Sequence, residues 1–157
     1  MVRPRQTRGM APRPKPGLAW FIVCDLGFAV GLVSHYFPRL GHLVWMAQPV
    51  FDEQPTTDDV ISISEWRWPV LFPLGSAVHR GIATKIGTVP LPSSLSSAPI
   101  MRSRKGKGDW SALRLAAEGP SVPLGPTSDR SLPIYQVVND TRLKEMLVSG
   151  WMPAQEW

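Results

Sequence analysis

The stretch Leu18-Ala-Trp-Phe-Ile-Val-Cys-Asp-Leu-Gly-Phe-Ala-Val-Gly-Leu-Val33 decides the fold. Coming after a run of basic residues, it imitates a signal peptide or a membrane anchor. It is short for a span, which needs about 20 apolar residues. Asp25 also sits at its middle, where a charge costs about 3 kcal/mol on insertion into a bilayer. Asp25-Leu-Gly27 reads instead as a turn, which divides the run into two strand-length halves. The expected element is therefore a buried β-hairpin, with strands over Leu18–Cys24 and Phe28–Tyr36. Gly31, inside the second strand, marks a bulge or a close backbone approach.

Working outward, Pro38-Arg-Leu-Gly41 is a turn and His42–Met46 a third strand, so the first part of the chain is an antiparallel meander. After a loop at Phe51–Pro55, the segment Thr56–Arg67 has two competing readings. Thr56 followed by Asp58 and Asp59 favours a helix start, because carboxylates complement the free N–H groups there. The β-branched Val60-Ile-Ser-Ile-Ser64 favours a strand. A short middle helix, ended by Trp68-Pro69, is preferred. Val70–Val78 and Ile82–Val89 are expected as strands, and Pro90–Pro99 as a loop. Arg102–Gly108 is expected as a second, basic loop and Trp110–Ala116 as a strand, before a turn-rich Gly119–Ser131. Leu132–Val138 leads into a helix capped by Asn139 or Asp140 and running to about Ser149, with Gly150 in the stop position. Leu143, Met146 and Leu147 share its apolar face. The fold class is thus α+β: one antiparallel β-rich domain, a meander or small barrel-like sheet, with a short middle helix and a C-terminal helix.

Composition agrees with short elements. Proline accounts for 17 of 157 residues, about twice the roughly 5% expected, and each one removes a backbone donor. The net charge of +5 is local: Arg3, Arg5, Arg8, Arg13 and Lys15 precede every acidic residue, and the rest of the chain balances. Residues 1–16 are therefore expected as a disordered basic, proline-rich tail and residues 17–157 as the domain. Cys24 is the only cysteine, which excludes an intramolecular disulfide and a multi-thiolate zinc site and suits the cytoplasm.

The motifs of catalysis are missing from the sequence. Gly81–Gly87 lacks the spacing and the lysine-serine ending of a phosphate loop, and no serine sits in a nucleophile elbow. His35, His42 and His79 form no pair with metal-ligand spacing, and adjacent Asp58 and Asp59 do not face each other. No catalytic residue, metal ligand, cofactor or small-molecule substrate is expected, and the chain reads as a non-enzyme.

Two features could bind a partner. In Trp66-Arg67-Trp68, alternation on an extended segment puts both indoles on one face and Arg67 on the other. Buried, the pair is a core anchor, which is the stronger reading; exposed, it is an interface hot spot. The basic loop offers Arg102, Arg104, Lys105 and Lys107 as phosphate contacts, with Trp110 close behind.

Trp66-Arg-Trp-Pro-Val-Leu-Phe-Pro-Leu-Gly-Ser-Ala-Val-His-Arg-Gly-Ile-Ala-Thr-Lys-Ile-Gly87, together with Gly27-Phe-Ala-Val-Gly31 and Leu132-Pro-Ile-Tyr-Gln-Val-Val-Asn-Asp-Thr-Arg-Leu143, resembles bacterial immunity proteins of polymorphic toxin systems. The likeness extends to the helix ending at Gly150-Trp151. It implies a protein that binds and neutralises a cognate toxin. The expected contacts are then Trp66, Arg67 and Trp68, with Asn139 and Asp140 as a polar rim. The alternative is nucleic-acid association through the tail and the 102–107 loop.

Overall fold

The computed structural model describes residues 13–104, 106–116 and 120–156. Leu18–Val33 forms the expected hairpin: β1 (Leu18–Cys24) and β2 (Gly27–Phe37) pair antiparallel, closing at Cys24 opposite Gly27 over the two-residue Asp25-Leu26 turn. No helix among the described residues is long and apolar enough to cross a membrane. β3 (Gly41–Phe51) continues the meander, and with β4 (Trp66–Phe72) and β5 (Ala83–Thr88) it makes a five-stranded antiparallel sheet ordered β4-β3-β2-β1-β5. A second sheet, of order β6-β7-β8, contains β6 (Ile100–Ser103), β7 (Ser111–Arg114) and β8 (Val122–Pro126). Neither sheet closes into a barrel. The helices are α1 (Thr57–Ile61), α2 (Leu74–His79) and α3 (Asp140–Ser149).

Both faces of the large sheet are covered, which is why its strands carry long apolar runs. On one face Trp20, Ile22, Val44, Met46, Trp68, Val70 and Phe72 pack under α2 and under Leu143, Met146 and Leu147 of α3. On the other, Phe21, Val30, Leu32 and Ala47 pack under Val60 of α1 and under Val89 and Leu95. A third cluster, with Phe37, Leu43, Leu71, Met101 and Leu113, joins the end of the large sheet to the small one. Residues 133–138 stitch the two sheets together. Val137 bridges to Leu71 and Ile134 to Arg102, both in parallel sense. The Val138 N–H donates to Leu71 O at 2.9 Å, and the Arg102 N–H to Pro133 O at 2.9 Å.

Three expectations need correction. The middle helix occupies only the first half of its segment. Thr56 caps it, accepting from the Asp59 N–H while the Asp59 carboxylate accepts from the Thr56 N–H. After the helical cap Ser62 the chain leaves the helix and enters β4 at Trp66, running straight through Pro69. Proline is tolerated there because β4 ends the sheet.

Val70–Val78 is not one strand. It stops at Phe72, and Pro73 starts α2, whose Leu74 and Ala77 fall three apart and bury one helical face. Within the expected turn-rich segment, Val122–Pro126 is a strand in spite of its two prolines, for the same reason as β4: it is an edge of its sheet.

Of the expected tail, residues 1–12 lie outside the described residues. Residues 13 and 14 are docked on the β2–β3 end. Pro14 is buried, its carbonyl lies 3.0 Å from Nε2 of His42, and the Arg13 guanidinium sits 4.1 Å from the Tyr36 ring centroid.

Candidate functional site

A β-bulge separates the two tryptophans that the sequence puts on one face. Trp45 pairs with Pro69, but Ala47 pairs with Trp66, so β4 holds one residue more than β3 between these pairs. The extra residue reverses the alternation. Trp68, 1% exposed, faces α3 and Trp151, while Trp66 is half-buried against the cluster on the opposite face. The Trp68 Nε1–H donates to Trp151 O at 3.0 Å, and the two indoles meet edge to face at 5.4 Å.

Arg67 ties the sheet edge to the helix. It donates to Gln48 O at 3.0 Å through one terminal nitrogen and to Leu147 O at 3.4 Å through the other. A cation on the last turn of α3 complements the free carbonyls there. Asn139 is the N-cap of α3, its Oδ1 accepting from the Arg142 N–H at 2.8 Å, and Asp140 is the first residue of that helix. Trp68, Arg67 and Asn139 are thus engaged within the fold.

The basic segment divides. Arg102 is on β6, not in a loop, and is fully buried. Its guanidinium donates to the carbonyls of Pro153 and Glu156, each at 2.6 Å, and to Leu132 O at 3.3 Å. A fork with five donors can satisfy carbonyls from two segments at once, which explains an arginine at a core position. Burial and the nearby Arg130 both lower its pKa. Arg104 and Lys107 are exposed, and Lys105 lies outside the described residues. Arg102 and Arg104 both place their guanidinium carbons over the Trp110 ring, at 4.0 and 4.7 Å from its centroid.

The histidines do not converge into a site. His35 Nδ1 lies 2.9 Å from Ser34 Oγ, and burial lowers its pKa. Burial lowers that of His42 as well, with Arg13 adding to the effect. Among the described residues, no group of three His, Cys, Asp or Glu side chains is placed to hold a metal.

Two of the surface concavities could receive a partner or a ligand. One, of about 630 Å³, lies between the β1–β2 turn and α3. Val23 and Val148 line it at 55% and 42% exposure, and Leu26 stands exposed on the adjoining turn. Asp25, Asp140 and Glu145 line it too, against one cation, Lys144. Asp140 alone of the sequence-predicted partner residues lines it. Val23 and Leu26 were readable as apolar positions beside a turn. Val148 was readable as a residue off the Leu143–Met146–Leu147 face. Nothing in the sequence joined the two elements. The other cavity, of about 650 Å³, is lined by Arg104, Lys107, Asp109, Trp110, Thr127 and Ser128, among others. The chain matches no protein-family model, no curated protein and no solved structure in the comparisons made.

Proposed function

We propose that the chain is a non-enzymatic protein-binding module and, more narrowly, an immunity protein that neutralises a cognate bacterial toxin by direct binding. The observation that carries the general reading is the groove between the β1–β2 turn and α3. Val23 on β1, Leu26 on the turn after it and Val148 on α3 expose branched aliphatic side chains, and apolar groups already held by secondary structure lose little backbone freedom on binding. The surrounding Asp25, Asp140 and Glu145 favour a partner that brings an apolar side chain inside a basic rim. The narrower reading rests on the resemblance carried by Trp66–Gly87 and Leu132–Leu143. A cytoplasmic setting belongs to the same proposal, since Cys24 is a free thiol.

The test is co-expression with the product of the neighbouring gene. Rescue of growth and a stable complex on sizing are expected, and Val23→Asp with Val148→Asp should abolish both while the protein stays folded. Absence of rescue and of a complex overturns the immunity reading. A complex indifferent to both substitutions removes the groove as its site.

A further inference from the structure

We infer that the cavity between the β6–β7 connection and the segment after β8 is a binding site for a phosphate group, with Arg104 and Lys107 as its charged contacts and Thr127 and Ser128 on its opposite wall. The inference does not depend on the protein-binding reading, since the two concavities share no lining residue.

Arg104 carries the argument. Its guanidinium rests 4.7 Å from the Trp110 centroid, and the indole behind it is itself buried. Cation–π attraction holds a guanidinium over a ring without using its N–H groups as hydrogen-bond donors. An arginine pre-ordered in this way loses less side-chain freedom when it grips an anion through two parallel bonds. Among the described residues neither Arg104 nor Lys107 forms an ion pair. One carboxylate, Asp109, lines the cavity against these two cations. Behind the cavity, Arg102 feels Arg130 and Arg104 but also Glu156 and Asp129, so the charge offered to a ligand is that of Arg104 and Lys107 themselves.

The far wall is shaped by its backbone. The Thr127 N–H is fixed to Trp110 O at 3.0 Å, and the Thr127 hydroxyl accepts from the Asp129 N–H at 3.1 Å. Asp129 turns away to the Ser131 hydroxyl and N–H, which hold its pKa down. Asp129 itself does not line the cavity.

A phosphate can come from a nucleic-acid backbone or from a free phosphorylated compound, and one set of titrations separates them. The full chain is titrated at low ionic strength with a labelled oligothymidylate by anisotropy and with inorganic pyrophosphate by calorimetry. Binding of at least one probe is expected, with affinity falling as salt is added. Arg104→Gln with Lys107→Gln should weaken it by about tenfold or more, while the melting temperature moves by no more than about 4 °C. Arg3→Gln, Arg5→Gln and Arg8→Gln should leave it largely in place. Pyrophosphate binding points to a discrete phosphorylated ligand, and oligothymidylate binding without it points to a strand. No binding of either probe overturns the inference. So does binding unchanged in the Arg104 and Lys107 double variant.

Discussion

Gly31 on β2 lies directly beneath the indole of Trp20 on β1. A Cβ built on Gly31 would stand 2.2 Å from Cζ2 of that ring, far inside contact distance. The indole cannot step aside, because it is fully buried and stacks on Phe72 at 5.4 Å with a 13° interplanar angle. The absence of a side chain at Gly31 is thus what lets a tryptophan lie flat on the sheet. Gly31→Ala should destabilise the protein by about 2–3 kcal/mol through overpacking, read as a lower urea midpoint with unchanged slope. A change under about 0.5 kcal/mol would mean that the Trp20 ring moves freely.

Trp151 closes the core beyond α3. Gly150 adopts a left-handed conformation that ends the helix and turns the chain back, so the Trp151 ring meets Trp68 while its carbonyl accepts the Trp68 Nε1–H. Trp151→Ala should cost about 3–5 kcal/mol, as for other large aromatic truncations. Trp68→Phe should cost less, about 1–2 kcal/mol, because packing survives and one hydrogen bond is lost. Equilibrium denaturation of both variants gives the comparison: Trp151→Ala keeps the backbone carbonyl and loses the packing, so equal losses would make the hydrogen bond worth as much as the ring contact.

The N-terminal strap should make the fold sensitive to mild acid. In the folded state His42 has its pKa lowered, first by burial and then by Arg13, although the Pro14 carbonyl partly offsets this. Tyr36 packs against the same ring at 4.8 Å. The unfolded chain has its histidine near about 6.5 and so takes up a proton first as pH falls. Stability from a neutral His42 is therefore fully present above about pH 7 and is lost as pH drops through the lowered value. His35, shifted the same way, adds to the effect. Urea midpoints compared at about pH 7.5 and 5.5 should show the loss, and His42→Gln, which keeps a donor for Pro14 O, should shrink it. An undiminished loss in that variant would put the acid sensitivity elsewhere.

How much of this was readable depends on the range over which each feature is determined. The β1–β2 turn at Asp25-Leu26, the role of Gly31 and the capped helix Asp140–Ser149 follow from a few adjacent residues, and all three stand as expected. The positions of Trp66 and Trp68 do not follow from alternation, because the bulge that reverses it arises in pairing with β3. The strand-like Val70–Val78 is a similar case: only the sheet beneath shows that Leu74 and Ala77 can be buried better from a helix. At the candidate sites the charge was legible but its placement was not. Arg102 and Arg104 are two residues apart in one basic run, yet one is in the core and the other in solvent, since only Arg102 reaches the C-terminal carbonyls.

That contrast gives the last prediction. Arg102 links Leu132 O to Pro153 O and Glu156 O, so it fastens the segment before α3 to the turn that follows Trp151. Arg102→Gln shortens a fully buried side chain and strips one buried and two half-buried carbonyls of a charged donor, which should cost about 3 kcal/mol or more. Arg104→Gln alters an exposed cation stacked on Trp110 and should change stability by less than about 1 kcal/mol. Melting curves of the two single variants, measured side by side, separate the structural arginine from the ligand-facing one. If Arg104→Gln proves as destabilising as Arg102→Gln, the Trp110 stack is part of the scaffold, and Arg104 is not available to an incoming anion.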